Sequence, residues 1–119
     1  MTGTALTDRP SENSLEPLIQ ALKRFSHFDP KMQVSTILTL LEVAEAENRG
    51  EPISVQDIEI RVGLKSGTAS RNVYYWEEGH KDMRGGHNMV SIDFDPKDRR
   101  RRSLRLTAKG KAFVSSLLD

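Results

Sequence analysis

Four consecutive arginines, Arg99 to Arg102, form the densest charge cluster of the sequence, and Lys97 stands just before them. Guanidinium groups bind phosphate through paired hydrogen bonds, and so many like charges repel one another unless they face an anion. The phosphates of a nucleic-acid duplex would supply that counter-charge. The candidate contacts are Lys97, Arg99, Arg100, Arg101 and Arg102, of which about two would reach the duplex if side chains alternate along a hairpin.

Two aspartates, Asp95 and Asp98, bracket the turn that leads into this cluster. Each can pair with an arginine or accept a hydrogen bond from the turn backbone. We therefore interpret both as structural support for the basic segment.

The charge of the chain is divided unevenly between its two halves. Residues 1–60 hold five Lys and Arg against ten Asp and Glu, a net charge of −5, whereas residues 61–119 hold thirteen against seven, a net charge of +6. This asymmetry is typical of an oriented surface that faces a polyanion, although scattered solvated charge explains it equally well.

The composition limits the class of protein. A chain of 119 residues that is 36% hydrophobic and 29% charged is expected to form one soluble globular domain. No apolar run approaches the roughly 18 residues of a membrane span, and the first residues lack the pattern of a secretory signal. The absence of cysteine agrees with a cytoplasmic location.

No pattern in the sequence indicates catalysis. His27, His80 and His87 are scattered without the spacing of metal ligands. No serine lies in a nucleophile-elbow pattern, and no glycine-rich loop matches a phosphate-binding motif of nucleotide-dependent enzymes. We predict that the protein is not an enzyme and that it uses neither a metal nor a cofactor.

The elements that must position the basic cluster begin with two helices. Residues 1–13 are polar and are expected to be a disordered tail. A helix is predicted over 14–28, and a second one begins at Asp29-Pro30 and ends at Gly50. The apolar residues of the first are Leu15, Leu18, Ile19, Leu22 and Phe25, and those of the second are Val34, Ile37, Leu38, Leu41 and Ala44, with Leu40 widening the stripe.

Two short helices follow, after a very short strand at Ile53. Ser54 and Asp57 have the spacing of a capping box, which predicts a helix over 55–62. Ser66 is expected to cap the next helix, whose apolar face consists of Ala69, Val73 and Trp76. Two short helices joined by a glycine-containing turn are typical of a helix-turn-helix.

A hairpin and a final helix complete the pattern. Residues 89–95 and 104–106 alternate apolar and polar side chains on either side of the arginine cluster, which predicts two antiparallel strands with a basic tip. Thr107 is positioned to cap the last helix. The predicted fold is mainly α with a small β-hairpin, a winged helix-turn-helix in the order α-α-(β)-α-α-β-β-α, formed by the single domain 14–119.

In a helix-turn-helix, only side chains that avoid the core face of the second helix can reach bases or phosphates. The candidate DNA contacts of this helix are Lys65, Ser66, Thr68, Ser70, Arg71, Tyr74 and Tyr75. Arg71 is long enough for a bidentate contact to guanine or phosphate. Ser66 and Thr68 either contact DNA or cap the helix, and one of the two tyrosines can instead belong to the core.

The wing residues resemble a known signature. The pattern Asp95-x-Lys97-Asp98-x-Arg100, followed by Leu104-x-Leu106-Thr107-x-x-Gly110, is similar to the wing motif of the MarR family of bacterial and archaeal transcription regulators. The run Thr68-Ala69-Ser70-Arg71 resembles the recognition helix of that family. The resemblance covers roughly residues 34–118.

The resemblance implies a homodimer that binds double-stranded DNA at a pseudo-palindromic operator, most simply as a repressor. It places Ser70 and Arg71 at the major groove or its phosphates and Arg100 in the flanking minor groove, with Asp98 as the partner that positions Arg100. In such proteins the long C-terminal helices form the dimer. Here the chain stops at Asp119, so we expect dimerisation to depend on helix 14–28, the tail and the last helix.

Two departures from the family pattern shape the remaining expectations. The segment 79–88 is longer than the usual link between recognition helix and wing, which predicts a displaced wing. The short C-terminal part argues against a small-molecule effector and for a compact, nucleoid-associated regulator of prokaryotic, phage or plasmid origin. The alternatives are a winged-helix protein-interaction module that docks through its acidic N-terminal half, and a phage or plasmid replication or maintenance factor.

Overall fold

The computed structural model describes residues 12–51, 53–78, 86–94 and 102–119. Its elements follow the predicted order, including the very short first strand. They are α1 (Glu16–Ser26), α2 (Val34–Arg49), β1 (Ile53–Ser54), α3 (Val55–Ile58) with a π-helical turn (Glu59–Gly63), α4 (Ser66–Trp76), β2 (Val90–Phe94), β3 (Arg102–Leu106) and α5 (Ala108–Leu117). The predicted mainly α fold with a small hairpin is confirmed.

The start of α2 was predicted four residues too early. Asp29 and Pro30 form a turn, in which the Asp29 carboxylate accepts a hydrogen bond from the Lys31 backbone N–H at 2.9 Å and the Asp29 carbonyl accepts one from Met32 N–H at 3.0 Å. Gln33 is extended, so the helix begins at Val34. The short side chain of Asp29 satisfies the local backbone and stabilises a turn rather than a helical cap.

The buried face of α2 is also rotated from the predicted apolar stripe. Leu40 and Ala44 are buried as predicted, but Thr36, Thr39 and Val43 are buried with them, whereas Val34 is 68% exposed. The threonines can lie inside because their hydroxyls have partners, as Thr39 Oγ1 donates to the Ser35 carbonyl at 2.8 Å.

Aromatic rings form the centre of the core where α1, α4 and α5 meet. Trp76 and Phe25 are fully buried and pack edge to face, with centroids 6.0 Å apart. Phe113 of α5 meets Phe25 at 5.2 Å, and Phe28 meets Trp76 at 6.0 Å. These contacts fix the C-terminal end of α4 against the rest of the domain.

The three strands form one antiparallel sheet in the order β1-β3-β2, with Ile92 opposite Leu104 and Phe94 opposite Arg102. The predicted hairpin is therefore confirmed. Thr107 caps α5, since its hydroxyl accepts a hydrogen bond from Gly110 N–H at 3.0 Å. Within the described segments, none of the helices combines the length and the apolar character that crossing a bilayer requires.

Candidate nucleic-acid interface

The helix-turn-helix is formed by α3, its π-helical turn and α4. The predicted capping box begins it: Ser54 N–H donates to the Asp57 carboxylate at 2.9 Å, and Asp57 N–H donates to Ser54 Oγ at 3.1 Å. Gly63 ends the π-helical turn with a φ of +80°, a left-handed conformation that glycine adopts without strain. This turn directs the chain into α4.

The N-terminus of α4 differs from the prediction that Ser66 caps it. The capping position is Lys65, no side chain forms a cap there, and Ser66 is the first helical residue. Lys65 adopts the extended conformation that precedes a helix, because the turn after Gly63 sets the backbone. The hydroxyl of Ser66 is thereby left exposed on the first turn of the helix.

The inner face of α4 is held by apolar packing and by hydrogen bonds. Ala69, Val73 and Trp76 are buried, as their spacing predicts. The Trp76 indole N–H donates to the Thr36 carbonyl of α2 at 2.7 Å. This contact defines which side of α4 faces away from the protein.

Asn72 is a second anchor on the inner face, and the sequence interpretation missed it. Its amide lies between Thr36 Oγ1, which donates to Asn72 Oδ1 at 3.3 Å, and Thr39 Oγ1, which accepts from Asn72 Nδ2 at 3.4 Å. The signal was present, because Asn72 lies three residues after Ala69 and four before Trp76, on the buried stripe. A polar residue in that position indicates a buried hydrogen-bond network.

The outer face of α4 carries the predicted candidates together. Lys65, Ser66 and Arg71 are exposed, and Thr68, Ser70, Tyr74 and Tyr75 are half-buried. Neither Lys65 nor Arg71 forms an ion pair with any residue that the structure describes. The helix therefore presents two uncompensated cations with small hydroxyl side chains between them.

Of the two tyrosines, Tyr75 is the one that belongs partly to the core. Its ring packs edge to face on Trp76, with centroids 5.1 Å apart, and on His87 at 4.9 Å. Burial, together with the negative charge of Asp29, raises the pKa of the Tyr75 hydroxyl above 10.0. The phenol is thus a neutral hydrogen-bonding group at any physiological pH.

Tyr74 joins the recognition helix to the wing. Arg102 Nη1, at the start of β3, donates a hydrogen bond to the Tyr74 hydroxyl at 3.1 Å. The first described residue after the hairpin tip therefore lies against the outer side of α4. The remaining predicted wing residues, Asp95, Lys97, Asp98, Arg99, Arg100 and Arg101, lie outside the described residues, as does most of the 79–88 segment.

The base of the wing is fixed to α2 by Glu47. One carboxylate oxygen accepts a hydrogen bond from Leu106 N–H at 3.1 Å, and the other lies 3.6 Å from Arg105 Nη2. Glu47 thus fixes the end of β3 relative to the helix that supports α4. Within the described segments, no three His, Asp or Glu side chains lie close enough together to hold a metal ion.

Neither a scan against protein-family models nor a search of curated proteins finds a match to this sequence. Solved structures do match in fold. A Staphylococcus aureus MepR mutant bound to an oligodeoxyribonucleotide aligns with a TM-score of 0.66 and 19% identity, over 86% of this chain and 65% of the MepR chain. Wild-type MarR from E. coli without ligand gives a TM-score of 0.61 and 15% identity, over 86% and 65% of the two chains.

The adhesin competence repressor AdcR of Streptococcus pyogenes also matches, with a TM-score of 0.56 and 13% identity, over 97% of this chain and 71% of AdcR. At these identities the similarity establishes the fold. The chain has the winged-helix fold of MarR-type regulators, and it spans 65% of the length of the MepR and MarR chains.

Proposed function

We propose that this protein is a sequence-specific double-stranded DNA-binding transcriptional regulator, and most simply a repressor. The recognition helix α4 enters the major groove, and the basic wing reaches the flanking minor groove. As a regulator of this kind, the protein would act in the cytoplasm, at the nucleoid. The same fold in MepR bound to an oligodeoxyribonucleotide, and in AdcR, which is named a repressor, supports this proposal.

The observation that carries the proposal is the hydrogen bond between Arg102 and Tyr74. Because this bond joins the start of β3 to the outer side of α4, Arg102 and the Arg71 surface lie on the same side of the molecule, which supports a wing that acts beside the recognition helix. Two basic elements side by side fit adjacent grooves of a duplex, where the phosphates supply the opposite charge.

An exposed apolar face supports a homodimer through α1. Leu15 at the capping position of α1, and Leu18, Ile19 and Leu22 within it, are 41–66% exposed. In a two-fold dimer the same patch of both subunits meets, so these faces would cover each other. Two recognition helices would then read half-sites about one helical turn apart.

The decisive experiment selects bound sites from random duplex DNA and compares the parent protein with Arg71→Ala. The parent is expected to enrich an inverted repeat, since each subunit reads one half-site. Arg71→Ala should bind more weakly by about 1–3 kcal/mol and relax the preference at one position of each half-site. Lys111→Ala, at an exposed position of α5, is the matched control and should select the same sites.

Enrichment of no sequence by the parent protein would contradict the proposal. A protein-interaction module would instead retain its partner after nuclease treatment and would show no salt-dependent binding to duplex DNA. A replication or maintenance factor would select sites at an origin rather than at promoters.

A further inference from the structure

A cavity of about 390 Å³ lies between the recognition helix and the turn that precedes α2. Thr68 and Arg71 line it from α4, and Lys31 and Gln33 line it from the turn. The turn is set by Asp29, whose carboxylate accepts the Lys31 N–H at 2.9 Å. Two segments that are 35 to 40 residues apart in the sequence therefore bring cationic and polar side chains to one concave surface.

The lining of this cavity combines basic and acidic side chains. Lys31 and Arg71 are exposed, and neither forms an ion pair with any described residue. Asp29 and Tyr75 also line the cavity, and the Asp29 carboxylate contributes to the raised pKa of that tyrosine. An anion is therefore attracted to Lys31 and Arg71 and repelled from Asp29.

Lys31 belongs to the acidic half of the chain, where only five of the eighteen Lys and Arg residues occur. Lys31 lines the same cavity as Arg71, so it extends the basic surface of the recognition helix onto a segment of the acidic half of the chain. Gln33, which also lines the cavity, is at the capping position of α2 without forming a cap. Its side-chain amide can donate hydrogen bonds to an anion.

We propose that this cavity is a seat for one backbone phosphate of the bound duplex, held by Lys31 and Gln33 from the turn and by Thr68 from α4, beside Arg71. This inference rests on the proposed DNA-binding function and adds two contact residues that lie outside the helix-turn-helix and the wing. A tetrahedral phosphate takes one or two donors from each wall, and its remaining oxygens stay in solvent away from Asp29. Such a contact fixes the register of α4 in the groove without reading sequence.

The test measures DNA binding of the full chain by fluorescence anisotropy over a salt series, with Lys31→Gln and Lys111→Gln as a pair. Both variants remove one exposed lysine charge, but only Lys31 lies at the cavity. Lys31→Gln should make the plot of log association constant against log salt less steep by about one unit. It should also weaken binding about eightfold at 0.1 M salt, which is the contribution of one released counterion. Lys111→Gln should retain the slope of the parent.

A second arm replaces the phosphates of the duplex one at a time with uncharged methylphosphonate. At one position of each half-site, the replacement should weaken binding by the parent more than binding by Lys31→Gln, because the variant has already lost the charged contact to that phosphate. Gln33→Ala should also reduce the effect of the methylphosphonate replacement, and only at that same position of the DNA.

The outcomes separate the two proposals. If the parent binds duplex DNA with a steep salt dependence, and Lys31→Gln binds with the same slope and affinity, the phosphate seat is wrong while the DNA-binding function stands. If the parent shows no salt-dependent binding to any duplex, both proposals fall. If both lysine variants lose the same slope, the effect is one of net charge and the seat is wrong.

Discussion

Helices α1 and α4 have the same length of 11 residues and both carry a regular apolar stripe, yet the two stripes are covered very differently. In α4 the stripe is buried, and Trp76 has no exposed surface. In α1 only the last apolar residue, Phe25, is buried, whereas the four before it remain substantially exposed. Helical periodicity therefore identifies an apolar face but does not identify what covers it.

The two helices differ in the contacts that hold them to the rest of the domain. Trp76 and Asn72 of α4 form hydrogen bonds to α2 in addition to their packing. By contrast, α1 is held at its C-terminal end, where Phe25 meets Trp76 and Phe113. This difference agrees with the roles proposed for the two helices, since a recognition helix needs rigid support and a dimerisation helix leaves its apolar face open.

The largest expected effect comes from Trp76→Ala. Removing this fully buried ring leaves a cavity and removes the indole hydrogen bond to the Thr36 carbonyl, so we expect the free energy of unfolding to fall by about 3–5 kcal/mol. Urea denaturation followed by circular dichroism measures it. Leu18→Ala on α1 is the matched change and should cost less than about 1 kcal/mol in dilute protein. Equal losses for both would remove the distinction between the two helices.

A smaller loss is expected for Asn72→Ala, which leaves two buried threonine hydroxyls with fewer partners. The expected cost is about 1–3 kcal/mol, the usual penalty for leaving buried polar groups unsatisfied. Asn48→Ala at an exposed position of α2 is the control and should change stability by less than about 0.5 kcal/mol. If Asn72→Ala were as stable as the parent, the network would not be what holds α4 to α2.

The features that the sequence predicted correctly depend on residues close together in the chain. The capping box of Ser54 and Asp57, the cap at Thr107 and the alternation of the hairpin each involve neighbours within a few positions, where backbone geometry leaves few choices. The buried stripe of α4 was predictable for the same reason.

The features that it did not predict depend on distant contacts. The rotation of α2 is set by Asn72 and Trp76, which lie more than 30 residues away from Thr36, so the apolar stripe of α2 alone was misleading. The cavity beside Arg71 likewise needs Lys31 from a turn whose position only the packed fold defines. Charge counting assigned Lys31 to the acidic half and gave no sign of its location.

The resemblance to the wing motif pointed to the correct fold. The structure explains why the second half of the motif, from Leu104 to Gly110, has these residue types. Leu104 and Leu106 are buried, and Thr107 caps α5. A Cβ on Gly110 would collide with the carbonyl oxygen of Met89. This part of the motif therefore builds the wing base rather than contacting DNA, while the basic part of the motif remains a prediction for DNA contact.

The packing of His87 on the C-terminal end of α4 should make the stability of the protein depend on pH. Burial, reinforced by the positive charge of Lys109, lowers the pKa of His87 below its usual 6.5. As the pH falls, His87 is therefore protonated in the unfolded chain before it is protonated in the folded protein. Above about pH 6.5 the ring is neutral in both states and costs no stability. Below that value the free energy of unfolding falls until the pH reaches the folded pKa. Glu77, whose pKa burial raises above 4.5, acts in the opposite direction.

Because the two groups oppose each other, the effect of His87 is isolated by comparison with His87→Gln. The urea midpoint of each protein is measured at pH 7.5 and at pH 5.5, and the two changes in midpoint are compared. The parent should lose more stability than the variant over this interval, by less than the cost of Asn72→Ala, since His87 is only half-buried. An identical pH response in both proteins would mean that the ring is protonated in the folded state as easily as in the unfolded chain.

The smallest effect on folding should come from the exposed face of α1, and it should be accompanied by a change in association. Leu18 and Leu22 are 57% and 45% exposed, so Leu18→Gln with Leu22→Gln should change the unfolding free energy of the monomer by less than about 0.5 kcal/mol. Sedimentation velocity should nevertheless show a shift from dimer to monomer, and Gln20→Ala on the same helix should not cause it. A stability loss above about 2 kcal/mol without any change in sedimentation would place these leucines in the core of their own chain, and α1 would then resemble α4 after all.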